Sequence, residues 1–404
     1  MSTLTDPQQG SFRLSMLLSD TRYRSYTFQF IALVALIVAM AFLGLNLVRN
    51  LAAQGLDISY DFLSSASGYD INQRPIEYDS QSTHLRAAVV GILNTLIVAV
   101  LACVTATIIG VFAGVMRLSN NWLVRKIMAV YVEAFRNVPV LIWILIIFSI
   151  MTVSLPAPSA FRGETPTSTM FLDTVAFTNR GVYIPAPVMG PGAWIVILTF
   201  VASILGIFAL RKYAMKTLFD TGRIVPTFWP SVALFFLPTL LVHFILGRPI
   251  GLEYPELRGF NFQDGIQIRG SLIALWFALA IYTGAFIAEN VRAGIQAISK
   301  GQTEAAGALG LRPNRIMSLV ILPQALRVII PPLVSQYLNI TKNSSLAIAV
   351  GYMDVTGTLG GITLNQTGRA IESVLLLMLF YLVISLSIST IMNIYNNSVK
   401  LKER

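Results

Sequence analysis

Charge, cysteine and histidine are all scarce in this chain. Asp, Glu, Lys and Arg make up only 12% of its 404 residues, against roughly 25% in a soluble domain. That deficit excludes an ordinary soluble protein, because several apolar windows also approach or exceed the about 20 residues that cross a bilayer. The single cysteine, Cys103, sits within an apolar run, so no internal disulfide framework is possible. Two histidines, His84 and His243, are far apart and have no companions at ligand spacing. We expect no metal site and no catalytic residues, and we expect His84 to be solvated. No Gly-x-x-x-x-Gly-Lys-Ser/Thr phosphate loop occurs, so any nucleotide energy must come from another chain.

Apolar residues are abundant, at 55%. The net charge of +10 would suggest nucleic acid in a soluble protein, but the Lys and Arg flank the apolar windows. They read as topology signals, with membrane lipids as surroundings and no nucleic-acid partner. The hydropathy predicts an all-α, polytopic membrane protein of about eight spans. These are placed near residues 28–48, 88–115, 127–153, 193–210, 232–246, 271–287, from 323 onward, and 371–391. Basic flanks place both termini on the inside. The seventh span is expected to be interrupted at Pro331 and Pro332 and again by the polar run NITKNSS. Residues 154–190, rich in Pro, Gly, Ser and Thr, read as a long external loop.

Between the sixth and seventh spans lies a basic segment, AENVRAGIQAISKGQTEAAGALGLRPNRIMSLVILP. Ala305, Ala306, Gly307, Ala308 and Gly310 form a low-relief patch that lets another surface approach closely. On residue chemistry alone, two readings stand: a docking element for a peripheral partner, with Glu304 available to pair with a base, or an amphipathic helix packed on its own bundle.

The spacing of Glu304, Ala305 and Ala306, then Gly310, Val320, Leu322 and Pro323 closely resembles the signature of permease subunits of bacterial ABC importers. Val320 stands where isoleucine is usual. AENVRAGI and KGQTEAAGALG, together with GILNTL at 91–96, GVMRLS at 114–119, YVEAFRNVPV at 131–140 and YLNITKNSSLA at 337–347, resemble the polar amino acid branch, the histidine, glutamine and arginine permease type. The extra first span and the insertion resemble the long permease of general L-amino acid transporters. The resemblance implies an ABC permease domain over 88–395 with an insertion at about 154–268. It is preceded by an extra unit over 1–87 and followed by a tail at 396–404.

It further implies an importer in the bacterial inner membrane. Its partners would be a second homologous permease, two copies of an ATPase that binds ATP and Mg, and a periplasmic amino acid binding protein; no cofactor is expected in this chain. Glu304, Ala305, Ala306, Gly310, Leu322 and Pro323 would then transmit ATPase closure to the spans. Asn339, Thr341, Lys342, Asn343, Ser344 and Ser345 break an apolar region, where polar groups are costly unless they line a cavity. They are candidate pathway residues, although Lys342 could instead reach the external interface. Glu133, Arg136, Asn137 and Pro139 are gating or structural candidates, either snorkelling or paired. Glu289 and Arg292 either pair or govern an inner gate. Two rivals are an ion-gradient transporter, which would need carboxylates within the spans, and a non-translocating scaffold, which leaves the polar run unexplained.

Overall fold

Small side chains decide how the central helices meet. In the computed structural model, which describes residues 18, 21–53, 55, 57–163 and 165–399, helix α2 (His84–Met116) buries Ala99, Ala102, Ala106, Gly110, Ala113 and Gly114. This three-to-four-residue repeat forms one stripe. Facing it, α7 (Gly270–Gln296) buries Ala274, Ala278, Gly284, Ala285 and Ala288. A Cβ added to Gly110 would lie 2.5 Å from the side chain of Ile287, and one on Gly114 would lie 2.6 Å from the Ala288 carbonyl. Only glycine permits these backbones to approach so closely. The core continues through Val98, Ile144, Leu275, Leu279, Ile287, Ile329 and Ile340.

The chain separates into two units, one up to Phe62 and one from Leu63 onward. The first contains α1 (Thr21–Ala53). Among the described residues, seven helices are long and apolar enough to cross a membrane, or eight if a bent pair is counted as one span, and the chain is 71% helical. Arg13 and the final Leu-Lys-Glu-Arg lie outside the described residues.

That bent pair corrects the third span. α3 (Trp122–Asn137) and α4 (Val140–Ser154) meet at 106° rather than running as one helix. Val138 is extended, at φ −111° and ψ 132°, because the residue before a proline is pushed out of the helical region, here by Pro139. The seventh span departs in the opposite sense. α10 (Leu322–Asn343) runs unbroken through Pro331, Pro332 and most of the polar run. Both prolines lie at exposed positions; each removes one backbone donor and fixes a φ compatible with the helix, and the helix continues through them. Thr341 donates to the Tyr337 carbonyl at 3.0 Å, so its hydroxyl is satisfied within the helix. The change of geometry comes later, as a 3-10 turn over Ser344–Val350.

The insertion is more ordered than a loop. It carries β1 (Ala176–Thr178), β2 (Gly181–Ile184) and β3 (Ala186–Met189), then helices α5 (Ala193–Thr221) and α6 (Phe228–Ile245), then β4 (Ile250–Glu253), β5 (Glu256–Arg258), β6 (Asn261–Gln263) and β7 (Ile266–Arg269). β3 pairs with β4, which ties together the start of α5 and the end of α6. β2 pairs with β7, and β7 runs directly into α7. Tyr183, Ala176 and Phe262 form the core of this small region. Its strands of three or four residues are too short to show period-two alternation.

The rest of the chain is α8 (Lys300–Ala308), α9 (Pro313–Ile316), a π-helical turn at Met317–Ile321, a second at Thr356–Thr363, α11 (Leu364–Thr367) and α12 (Ala370–Val399).

Candidate docking loop and polar clusters

The α8–α9 loop is built around a glycine turn. Leu309 caps α8 and Gly310 follows at φ +78°. The Gly310 amide donates to the Gly307 carbonyl at 2.9 Å and the Leu311 amide to the Ala306 carbonyl at 3.3 Å. This pairing is a Schellman motif, which requires a left-handed residue at the position of Gly310. The accompanying apolar contact is present, since Ala306 packs with Leu311, Ile316 and Ile321 beside Ile295 and Ile298.

Ala306 is the one buried residue of α8. Glu304, Ala305, Gly307 and Ala308 are exposed, and so is Leu309, at 82%. A helix serving only to cover its own bundle would bury a stripe, so most of this surface is left for something else. Leu322 is exposed and Pro323 half-buried where the π-helical turn enters α10. The Gln324 side chain donates to the Val320 carbonyl at 2.9 Å and to the Gln302 side chain at 3.5 Å. It therefore links α8 to the span that follows. Gln302 and Gln324 escaped the sequence reading because nothing in their spacing marks them as neighbours.

Glu289 and Arg292 do pair, and a third residue joins them. The Arg292 guanidinium holds Glu289 at 2.5 Å and bonds Gln296 at 2.7 Å. Arg117, at the end of α2, forms a second ion pair with Glu289. One carboxylate thus locks α2 to α7 at the base of the α8 loop. By sequence Arg117 is one of the flanking charges, and its partner is 172 residues away.

Glu133, Arg136 and Asn137 lie on exposed positions of α3. Asn137 approaches Glu133 at 3.5 Å, and the Arg136 guanidinium stands 5.2 Å from the centroid of Phe286 on α7. Pro139 makes the bend described above. Of the side chains on α3, Arg136 reaches α7, and Glu133 and Arg136 do not form a buried ion pair.

Toward the other end of α2, about 35 Å from Arg117 at 1.5 Å per residue, a second cluster is almost wholly buried. Asn94 donates to the Gln73 carbonyl at 2.7 Å and to the Met353 carbonyl at 2.9 Å. Thr95 accepts from the Val355 amide at 3.1 Å, and Tyr352 donates to the Asn94 carbonyl at 3.1 Å. A Cβ on Gly91 would meet Thr358 at 2.1 Å. The GILNTL residues therefore clamp residues 352–358. Asp354, fully buried, accepts from the Gly357 amide at 2.8 Å through one carboxylate oxygen while the other has no partner. Burial pushes this carboxyl up to about 7. His84, expected in solvent, is 3% exposed, with Nδ1 3.1 Å from the Thr363 hydroxyl. It is covered because the polar segment before α2 folds back on the helix, with Tyr69, Ile71 and Tyr78 packing against Ala87 and Val90.

The candidate pathway residues divide by face. Thr341 and Ser344 are buried, and Ser344 donates to the Thr341 carbonyl at 2.8 Å; Ser345 donates to the Lys342 carbonyl at 2.8 Å. Asn339 and Lys342 are exposed, with Asn343 half-buried beside them, at the three- and four-residue spacing of one helix face. Ser344 continues from α10 without a break, so no row of free helix-start amides is presented at this point. A nearby cavity of about 510 Å³ is lined mainly by apolar side chains such as Val111, Val291, Leu326 and Leu333. Its hydroxyls on Thr107 and Tyr337 bond each other at 2.7 Å, which suits it poorly to an amino acid.

Comparison with known proteins agrees with this arrangement. Residues 195–401 match the family described as binding-protein-dependent transport system inner membrane component. The chain is 50% identical, over all of both proteins, to the glutamate/glutamine/aspartate/asparagine transport system permease protein of Rhodobacter capsulatus. It is 42% identical to the general L-amino acid transport system permease protein of Rhizobium johnstonii, over 99% of this chain and 98% of that one. Among solved structures, a crystal structure of an amino acid ABC transporter with histidines is 20% identical, covering 78% of this chain and 95% of that one at a TM-score of 0.45. Full-length identity at this level, spanning the inserted hairpin as well as the core, settles the family: the chain is a multi-pass ABC transporter permease and belongs to the binding-protein-dependent transport system inner membrane components.

Proposed function

We propose that this permease imports L-amino acids across a bacterial inner membrane, with acidic amino acids and their amides as its substrate class. The observation that carries the substrate class is the 50% identity over the full length to a permease named for glutamate, glutamine, aspartate and asparagine. Both termini are placed on the cytoplasmic side.

In this reading the exposed Glu304, Ala305 and Leu309 surface seats in a cleft of a separate ATPase, which supplies bound ATP and Mg. Gly310 shapes the turn. Movement of α8 reaches the spans along Gln302–Gln324 into α10, and along α7 into the Arg117–Glu289–Arg292 lock. Two ATPase copies, a second homologous permease and a periplasmic binding protein complete the machine. Asn339 and Lys342 give α10 a polar stripe that faces away from this chain's own core, which favours a pathway shared with the second permease. The Lys342 ammonium complements a substrate carboxylate there, and Asn343 offers an amide alongside. Glu133, Arg136, Asn137 and Pro139 hold α3 against α7.

Reconstitution of this chain with its partner permease and ATPase tests the proposal. Uptake of labelled glutamate and glutamine should require ATP, the ATPase and a cognate binding protein. Uptake by this chain alone, driven by an ion gradient, would overturn it.

A further inference from the structure

The α5–α6 hairpin presents a feature that neither the docking loop nor the pathway uses. At its connecting end an open groove of about 660 Å³ is lined by both helices and by the segment that joins them. Ile207, Leu218, Phe228, Val232 and Phe235 give it apolar walls, and Arg211 stands at its lining. The same end carries Lys212, Lys216 and Arg223 against a single acid, Asp220, and all five charged residues are exposed. Within the groove, Ser231 is only 8% exposed, and its hydroxyl has no hydrogen-bond partner. Burying an unpaired hydroxyl is costly, so its place on the lining marks a position where an occupant supplies a polar atom.

An apolar slot with a buried hydroxyl and a basic rim has the chemistry of one kind of ligand: an acyl chain joined to a polar linkage and a negative headgroup. Basic pockets between membrane helices bind anionic headgroups in this way. We propose that the groove between α5 and α6 is a binding site for an anionic glycerophospholipid. The acyl chain lies along Leu218, Phe228 and Phe235, the glycerol linkage meets Ser231, and the phosphate pairs with Arg211. A helix of another protein would fill the apolar walls but would leave both the Ser231 hydroxyl and the clustered positive charge unmatched.

The site has a consequence for the hairpin itself. α5 and α6 are held together by contacts such as Phe200 against Phe235, whose ring centroids are 5.3 Å apart, and by the β3–β4 ladder at the opposite end. A lipid in the groove would bridge α5 and α6 at the end of the hairpin opposite that ladder.

The test uses the full-length protein in nanodiscs of phosphatidylcholine containing a minority of phosphatidylglycerol, with co-purifying lipid counted by native mass spectrometry. Wild type should retain phosphatidylglycerol in excess of its share in the bilayer. Arg211→Gln, at an exposed position where folding is not at risk, should lower that preference about fivefold, as expected for one basic group near an anionic membrane surface. Ser231→Trp, which fills the groove, should abolish retention while leaving the circular dichroism spectrum unchanged. If Arg211→Gln retains phosphatidylglycerol as wild type does, or if phosphatidylcholine is retained equally well, the proposal fails. It fails too if Val232→Cys cross-links to a partner permease in the assembled complex.

Discussion

Replacing Gly310 separates two roles that the same residue performs. Its φ of +78° is the left-handed conformation demanded by the cap of α8. Any residue with a Cβ pays roughly 1–2 kcal/mol there. A Cβ at this position would meet nothing within 4 Å, so in the isolated chain the cost is backbone strain alone and does not grow with side-chain size. Gly310→Ala and Gly310→Phe should therefore lose similar stability in detergent, and hydrogen exchange over residues 300–316 should rise about equally in both. In the assembled transporter the two variants should diverge. The alanine variant should keep partial uptake, reduced by a factor of about 5–30 at most if the strain of roughly 1–2 kcal/mol is felt in full on docking. The phenylalanine variant should lose coupling between ATP hydrolysis and uptake, because its ring would occupy the face proposed to seat in the ATPase. The assay is labelled amino acid uptake and phosphate release in the same proteoliposomes. Unchanged uptake and coupling in Gly310→Phe would refute the docking assignment. A large stability difference between the two variants in the free chain would refute the geometric part of the reasoning.

Three further outcomes are expected. Gly110→Leu should cost about 1–3 kcal/mol through overpacking, since even a Cβ would sit 2.5 Å from Ile287; a melting temperature in detergent equal to wild type would contradict the close α2–α7 contact. Glu289→Ala leaves the Arg117 and Arg292 guanidiniums without their shared carboxylate and should cost roughly 2–3 kcal/mol, whereas Arg117→Ala keeps the Glu289–Arg292 pair and should cost about 1 kcal/mol; reversal of that order in thermal melts would show that the lock is not centred on the acid. Asp354, whose carboxyl is raised by burial to about 7, favours the neutral form when folded. Its contribution is thus full below its unfolded value near 4 and is lost as pH rises through about 7. Asp354→Asn, which cannot ionise, should gain stability relative to wild type as pH rises from about 4 to about 7, and a pH-independent difference would argue against a neutral carboxyl.

The hydropathy of the chain and the placement of its basic residues were enough to determine a polytopic helical membrane protein and to locate the α8–α9 loop, because crossing a bilayer imposes a length and an apolar content that a sequence cannot hide. The motif around Glu304 and Gly310 was equally legible, since a left-handed turn after a short helix calls for glycine wherever the rest of the chain goes. What the sequence left open was every pairing between distant residues. Arg117 meets Glu289 because the alanine and glycine stripe brings α2 against α7. His84 is buried because residues 63–83 fold back over α2. The polar run around Thr341 and Ser344 stays helical because its hydroxyls bond their own backbone, a local choice that composition does not reveal. Whether a polar side chain turns inward to a carbonyl or outward to a partner is decided by which surfaces are already covered, and only the tertiary structure says that.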